Sequence, residues 1–169
     1  LSLEVSALVG DKSEQEQAWQ DVGEAFGDLI VGIKENKEAK EEAKKRENEW
    51  MNYWNTGWVL FENKEYDQSI IYTQKAQEIS NHPGLCFNIG IAKWANNSTD
   101  CLPDYLEGLN MMYDFETQEQ AIAVLESALK DFRDSEEKID GFKRNIPAYL
   151  ILENKLKEIQ AITNWKKKR

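Results

Sequence analysis

YWNTGWVLFENKEYDQSIIYTQKAQEISNHPG, residues 53–84, contains two helical periods separated by a short polar break. Before the break, Tyr53, Gly57 and Leu60 fall on one face of a helix. The break itself is Asn63-Lys64-Glu65. After it, a second stripe of apolar and small residues recurs at spacings typical of one helix face, and it consists of Tyr66, Ser69, Ile70, Thr73, Ala76 and Ile79. The stretch therefore predicts a helical hairpin.

Small residues stand where the two predicted helices would cross. Gly57, Ser69 and Ala76 are what antiparallel helices require where their backbones approach closely. His82 precedes Pro83, and the residue before a proline avoids helical geometry. We therefore expect the second helix to stop at His82-Pro83-Gly84 and a third helix to start there.

The pattern in this stretch resembles the tetratricopeptide repeat, whose positions are aromatic, large-Gly, aromatic, small, small and proline. The matching residues are Tyr53, Thr56-Gly57, Leu60, Tyr66, Ser69-Ile70, Ala76 and Pro83. Two partial copies support the resemblance: Trp19-x2-Val22-Gly23-x2-Phe26 begins 34 residues before Tyr53, and Cys86-x2-Ile89-Gly90 begins 33 residues after it. The family period is about 34 residues. The resemblance implies tight helix crossings at Gly23, Gly57 and Gly90, stacked as an α-solenoid.

The chain is thus predicted to be all-α, with about three such hairpins, flanking helices and a C-terminal capping helix, in a single helical-repeat domain over residues 1–169. Its parts are a degenerate first unit with a long charged helix at 13–49, the best-matching repeat at 50–83, one or more interrupted repeats at 84–133, and C-terminal helices with a basic tail at 134–169.

The second half of the chain leaves two questions open. Helical patterns at 104–114 and 117–132 follow a predicted loop, and they fit either an interrupted third hairpin or a fourth that has lost a helix. Ser135 is predicted to open a short helix, and Pro147 a longer amphipathic one. That last helix either caps the stack or is offered to a partner.

Charge limits the classes of partner. The net charge is −10, which disfavours nucleic acid and anionic membrane surfaces. Residues 143–169 carry +6, leaving −16 on residues 1–142, so the tail either attracts the acidic body or binds something else. No stretch is apolar enough to predict a membrane span, and the compartment stays open.

The residue types that carry catalysis are sparse. His82 is the only histidine and adjoins Pro83, which favours a surface or capping role. Cys86 and Cys101 lack the short paired spacing of metal or redox motifs. A disulfide between them is disfavoured, because if residues 84–96 are helical, the five residues up to Cys101 would have to run straight back toward Cys86. No phosphate-binding loop is present in the sequence. We therefore predict a non-enzymatic protein without cofactor or metal.

The resemblance implies a ligand groove lined by the first helix of each hairpin. The candidate partner-binding residues are Trp54, Asn55, Trp58, Phe61, Phe87, Asn88, Ile91 and Trp94. Asn55 and Asn88 each precede the marker glycine by two positions, where family members often hydrogen-bond a peptide backbone. The basic residues with which chaperone-binding members hold a terminal carboxylate are absent from this face. An aromatic groove with few charges suits an apolar or amphipathic peptide.

Three functions remain open at this level. The first is a protein-interaction module, adaptor or assembly factor that binds a partner peptide or helix. The second is a structural subunit whose groove and basic C-terminal helix mediate self-association or docking into a larger complex. The third is an accessory or catalytic domain on a helical scaffold. The alternative to an open groove is that the chain itself buries these aromatic side chains, for instance under the helix beginning at Pro147.

Overall fold

The computed structural model describes residues 12–167, and within that range it contains helices and no β-strand. Six α-helices and one short 3-10 helix follow in order: α1 Lys12–Glu62, α2 Tyr66–Gln77, α3 Pro83–Ala95, α4 Leu102–Asn110, η1 Met112–Asp114, α5 Gln118–Lys138 and α6 Ile146–Gln160. None of these helices is long and apolar enough to cross a bilayer. The all-α prediction is confirmed.

The chain divides into two compact units, residues 1–45 and 46–169. In the first unit, residues 12–45 are the N-terminal part of α1, and every side chain described there is exposed. The long charged helix expected at 13–49 is therefore present. The helix crossing expected at Gly23 is wrong, because a Cβ added there would meet no atom of the described residues within 4 Å. The uninterrupted charged run 35–49 stays helical, so the chain makes no turn that could bring a second helix against Gly23.

In the second unit, the C-terminal part of α1 and helix α2 form the predicted hairpin. Ser69 Oγ donates a hydrogen bond to the backbone oxygen of Gly57 at 2.6 Å. A Cβ on Gly57 would lie only 2.4 Å from Thr73 Oγ1, so the backbones approach as closely as the small residues allow. The turn passes through Lys64 in the left-handed region, with φ 63°. The crossing predicted at Gly57 and the break at 63–65 are confirmed.

Helices α3 and α4 form the next pair. His82 caps α3, since its Nδ1 accepts a hydrogen bond from the Gly84 amide at 3.0 Å, and Pro83 occupies the first turn, where its missing N–H costs nothing. The capping role expected for this histidine is confirmed. Gly90 faces the ring of Tyr105 on α4, because a Cβ there would stand 2.5 Å from a ring carbon. This confirms the close crossing at Gly90 and identifies α4 as the partner of α3.

Helices α5 and α6 form the third pair. Thr117 and Gln120 make a reciprocal capping box at the start of α5. The short helix expected to open at Ser135 is wrong: α5 continues to Lys138 and buries Ser135 on the stripe that includes Phe132. The last helix begins as predicted around Pro147 and packs against both α5 and α4.

The second unit has one apolar core, drawn from all three pairs. Tyr105 lies near its centre, with its ring 5.7 Å from Phe87 and 5.5 Å from Phe132. Cys86 and Cys101 are buried free thiols, so they form no disulfide.

The basic tail contacts the body of the second unit. Trp165 Nε1 donates to the Phe115 backbone oxygen at 3.0 Å and its ring stacks on Tyr113, while Lys167 pairs with Glu116. Attraction between tail and body, one of the two alternatives, therefore accounts for these residues.

Candidate functional site

Five of the eight residues predicted for the groove line two pockets that adjoin at Asp131. The first, called here the Trp54 pocket, has a volume of about 70 Å³ and is lined in part by Trp54, His82, Phe87, Asn88, Ser127 and Asp131. The second, called the Trp58 pocket, has a volume of about 250 Å³ and is lined in part by Trp58, Phe61, Glu62, Lys130, Asp131 and Asp134. Trp54 and Asn88, 34 positions apart along the chain, thus line the same pocket, and Asp131 is the wall that the two pockets share.

Three helices build the Trp54 pocket. Trp54 comes from α1, Asn88 from α3, and Ser127 with Asp131 from α5. In the amide orientation that satisfies both groups, Asn88 Oδ1 accepts from Trp54 Nε1 at 2.7 Å and Asn88 Nδ2 donates to the Gly84 oxygen at 3.2 Å. Asn88 therefore fixes the Trp54 ring against α3.

Aromatic rings continue from Trp54 in both directions. Trp50 stacks on Trp54 with ring centroids 5.6 Å apart, and the imidazole of His82 lies 4.7 Å from Trp54. Phe115 meets the other side of His82 edge-on at 5.8 Å. Burial lowers the pKa of His82, which favours the neutral form of its imidazole. The cluster therefore presents aromatic faces without a positive charge.

Asp131 is the chemically distinctive residue of this site. Burial, the largest cause, and the nearby carboxylate of Asp134 together raise the pKa of its carboxyl to about 7. None of the hydrogen bonds among residues 12–167 ends on its carboxylate. Lys130 instead pairs with Asp134, one turn further along α5. Asp131 is left as an acid that faces both pockets without a bonded donor from the described chain.

The floor of the Trp58 pocket is aromatic. The rings of Trp58 and Phe61 stack with centroids 4.8 Å apart, and Phe61 is buried. Around the rim stand three acids and three lysines, which balance in formal charge. This pocket therefore offers mainly apolar contact, while the Trp54 pocket has Asp131 as its one charged lining residue.

The other three predicted residues lie elsewhere. Asn55 is exposed on α1, and Ile91 is buried in the core. Trp94 donates from Nε1 to the Lys143 backbone oxygen at 2.6 Å and lines a separate cavity of about 580 Å³ beside the turn at 139–143. Phe61 and Phe87 are also buried, as the self-burial alternative expected, but their edges still line the pockets. The residues predicted for one groove are thus divided among the two adjoining pockets, the core, the exposed surface of α1 and a separate cavity.

Sequence reasoning missed Trp50, His82 and Asp131 as site residues. Trp50 precedes Trp54 by one helical turn, and this spacing was an available signal. The sequence contains no comparable signal for Asp131, because it is one of 31 acidic residues. It is distinguished by its position on α5, beside residues of α1 in both pockets.

Among the residues that the structure describes, no three His, Cys, Asp or Glu side chains group in a way that could hold a metal ion. Comparison of the chain with protein-family models, with curated proteins and with solved structures finds no match. The site must therefore be interpreted from its own chemistry. Aromatic faces beside a single carboxylate are an arrangement that binds a cation.

Proposed function

We propose that this chain is a protein-interaction module that binds a peptide segment with a basic side chain in the Trp54 pocket and a neighbouring apolar side chain in the Trp58 pocket. One observation carries the proposal. The Trp54 pocket is lined by α1, α3 and α5, which are the first helices of three successive helical pairs.

The order of helix contacts supports a tetratricopeptide-like array in the second unit. Beyond the pairs already described, α2 contacts α3, α3 contacts α5, and α4 contacts α6. The first helices of the second and third pairs thus contact each other, and so do their second helices. In arrays of this kind, the concave face belongs to the first helices, and a pocket lined by α1, α3 and α5 is what such a face would present.

The chemistry of the Trp54 pocket favours a lysine or arginine side chain. A cation over the Trp54 face is attracted to the ring, by about 0.5–2 kcal/mol depending on its exposure to water. It would also give the Asp131 carboxylate the charged hydrogen-bond donor that no described residue supplies. The neutral His82 ring does not oppose the cation. A volume of about 70 Å³ fits the charged end of a side chain and little more.

The Trp58 pocket is suited to the adjoining part of the peptide. Its stacked floor of Trp58 and Phe61 offers rigid apolar area at small entropic cost. Asn55, exposed on α1 between the two tryptophans, is free to bond a peptide backbone, whereas Asn88 is engaged with Trp54. The peptide is thus expected to be amphipathic, with one basic residue as its anchor.

The proposal is tested by selecting binders from a display library of random peptides and measuring the affinity of the synthesised winners by calorimetry. We expect enrichment of Lys or Arg next to an apolar residue. Asp131→Asn should weaken binding at least tenfold, because it removes the charge and keeps the shape. Glu126→Gln, at an exposed acid of the same helix that lines neither pocket, is the matched control and should change affinity less than twofold. Selected peptides without a basic residue, or equal affinity for both variants, would refute the proposal.

The two asparagines give a second measurement on the same peptides. Asn55→Ala should weaken binding and leave the melting temperature unchanged, since the side chain is exposed. Asn88→Ala should lower both, because it leaves the Trp54 N–H without its acceptor, at a cost of about 1–3 kcal/mol.

The alternative of self-association through the groove and the basic C-terminal helix has less support. Leu152 and Ile159 of α6 face the core, and Trp165 and Lys167 of the tail are engaged with residues 113–116. The exposed large apolar side chains of α6 are Ile146 and Leu150, both near its start.

A further inference from the structure

The N-terminal part of α1 carries a heptad stripe of large apolar side chains. Its residues are spaced by three, four, three and four positions, and they are Trp19, Val22, Phe26, Leu29 and Ile33. Trp19 is 77% exposed and the other four are 59–62% exposed. Such a stripe is the pattern by which one helix packs lengthwise on another.

A helix in this state needs a partner. Isolated helices are marginally stable in water, and most helical stability in proteins comes from packing an apolar face. With Ile30 on its flank, the stripe presents six large exposed apolar side chains. If each covered about 100 Å² on pairing, the stripe and this flank would bury roughly 600 Å² per chain, at the lower end of the range of about 600–1,000 Å² per partner in stable interfaces.

The distribution of charge along the first unit indicates which partner is complementary to the stripe. Residues 13–33 contain five acids and no lysine or arginine, whereas residues 34–45 contain five lysines and four glutamates. Two copies packed in parallel would bring acidic segment against acidic segment. Packed antiparallel, they bring the acidic segment of each toward the lysines of the other, and their helix dipoles oppose. A second copy of this chain is therefore charge-complementary to the stripe in one orientation.

Small residues beside the stripe permit a close approach. Ala18, Ala25 and Gly32 recur every seven residues on one flank, and Gly23 stands on the other. Since helix separation is set by the side chains at the contact, these positions let the large residues of each helix enter the gaps of the other.

We infer that a second copy of this chain packs on the stripe, with the two helices antiparallel and centred between Gly27 and Asp28. In this register Phe26 meets Leu29 of the partner subunit, and Val22 meets Ile33 of the partner subunit. Glu16 and Lys37, which share the flank of the stripe that carries Gly23 and Ile30, then bring an acid of one chain near a lysine of the other, Glu16 lying beside Lys37 of the partner subunit. This self-association goes beyond the proposed peptide binding and uses residues that lie in the first unit.

The test is sedimentation equilibrium of the full chain over a range of concentrations. We expect a dimer of the 19.6 kDa chain. Val22→Asp should raise the dimer dissociation constant at least tenfold. Val31→Asp is the matched control: Val31 is 54% exposed on the same helix but off the stripe, so the same substitution there should change the constant less than twofold. A monomer at every concentration, or equal effects of the two variants, would overturn the inference.

Cysteine cross-linking decides the orientation. A mixture of Val22→Cys and Ile33→Cys chains should form a disulfide between the two variants, while Val22→Cys alone should form none. A disulfide in the Val22→Cys sample alone would instead establish a parallel pair and overturn the antiparallel arrangement. The native Cys86 and Cys101 are buried and do not compete. Asp131→Asn should dimerise as the parent does, and Val22→Asp should bind peptide as the parent does, so each hypothesis fails separately.

Discussion

Gly57→Ala is the substitution that tests the packing of the first hairpin most directly. The added methyl carbon would stand 2.4 Å from Thr73 Oγ1, roughly 1 Å short of van der Waals contact. Thr73 cannot easily turn away, since it is buried, branched at Cβ and bonded through Oγ1 to the Ser69 oxygen at 2.8 Å. The helices must therefore separate, which also stretches the hydrogen bond from Ser69 Oγ to the Gly57 oxygen.

The magnitude follows from three contributions. Overpacking a close contact costs about 1–3 kcal/mol. Weakening the Ser69 hydrogen bond costs roughly 1 kcal/mol. Replacing glycine by alanine within a helix returns about 1 kcal/mol. The net loss is about 2 kcal/mol, which corresponds to a fall in melting temperature of roughly 8 °C for a unit of this size.

The assay is thermal and urea unfolding followed by circular dichroism, in a double-mutant cycle with Thr73→Ala. Removing Oγ1 takes away the closest contact, so Gly57→Ala should cost less in that background, with a coupling of about 1 kcal/mol. Gly27→Ala, off the N-terminal stripe, is the control and should not lower the melting temperature, because no described atom lies within 4 Å of the added carbon. An unchanged melting temperature for Gly57→Ala, or equal costs in the two backgrounds, would refute the close-packing argument.

Two further predictions concern titratable groups. The pKa of Asp131 rises from 3.8 to about 7 in the folded state, so the folded chain holds a proton that the unfolded chain releases, and stability falls as the pH rises from about 4 to about 7. Asp131→Asn should remove this part of the pH dependence and be more stable than the parent above pH 7; urea unfolding from pH 4 to 8 that gives parallel curves would contradict this. Burial raises the pKa of Cys86 to about 11 and that of Cys101 above its ordinary value. Ellman's reagent should therefore find no reactive thiol in the native protein and two per chain after denaturation, whereas fewer than two would mean a disulfide.

The hairpin at 53–84 was predictable because its determinants are local. A glycine, a polar break with a residue in the left-handed region, and small residues at helical spacing all lie within about thirty positions. The same glycine pattern gave a wrong prediction at Gly23. The pattern identifies a helix with room for a close neighbour, but it does not show that a second helix packs there. The missing turn signal between 35 and 49 had already marked this unit as degenerate.

At Ser135 a local helix-start pattern is outweighed by the periodic stripe of buried residues along α5. Serine followed by two glutamates is typical of a helix start, yet Leu125, Ala128, Phe132 and Ser135 continue one buried stripe at helical spacing. Burial of that stripe keeps α5 intact through Ser135. The pairing of α3 with α4 and of α5 with α6 was likewise left open by the sequence, because it depends on which long-range contacts form.

The candidate site could be predicted only in its aromatic half. Trp54 and Trp58 are conspicuous in the sequence, whereas the carboxylate that gives the site its chemistry comes from α5, more than seventy residues away. Among the described residues, every fully buried side-chain nitrogen and oxygen has a hydrogen-bond partner. The carboxylate of Asp131 is not among these fully buried groups, yet burial raises its pKa while the nearest lysine on its helix pairs with Asp134.

A carboxylate held in this way works against stability at neutral pH, and Asn would fill the same space without that cost. Strongly shifted groups in pockets gather at functional sites, because a ligand can supply the missing interaction. A cationic side chain bound between Trp54 and Asp131 would lower the pKa of Asp131. Binding would then release the proton that Asp131 carries below about pH 7. Peptide affinity should therefore rise as the pH increases from 6 to 8, in the direction opposite to the stability of the free chain, and calorimetry at these two pH values measures it. Affinity that is independent of pH in the parent, or that shows the same pH dependence in Asp131→Asn, would separate Asp131 from binding.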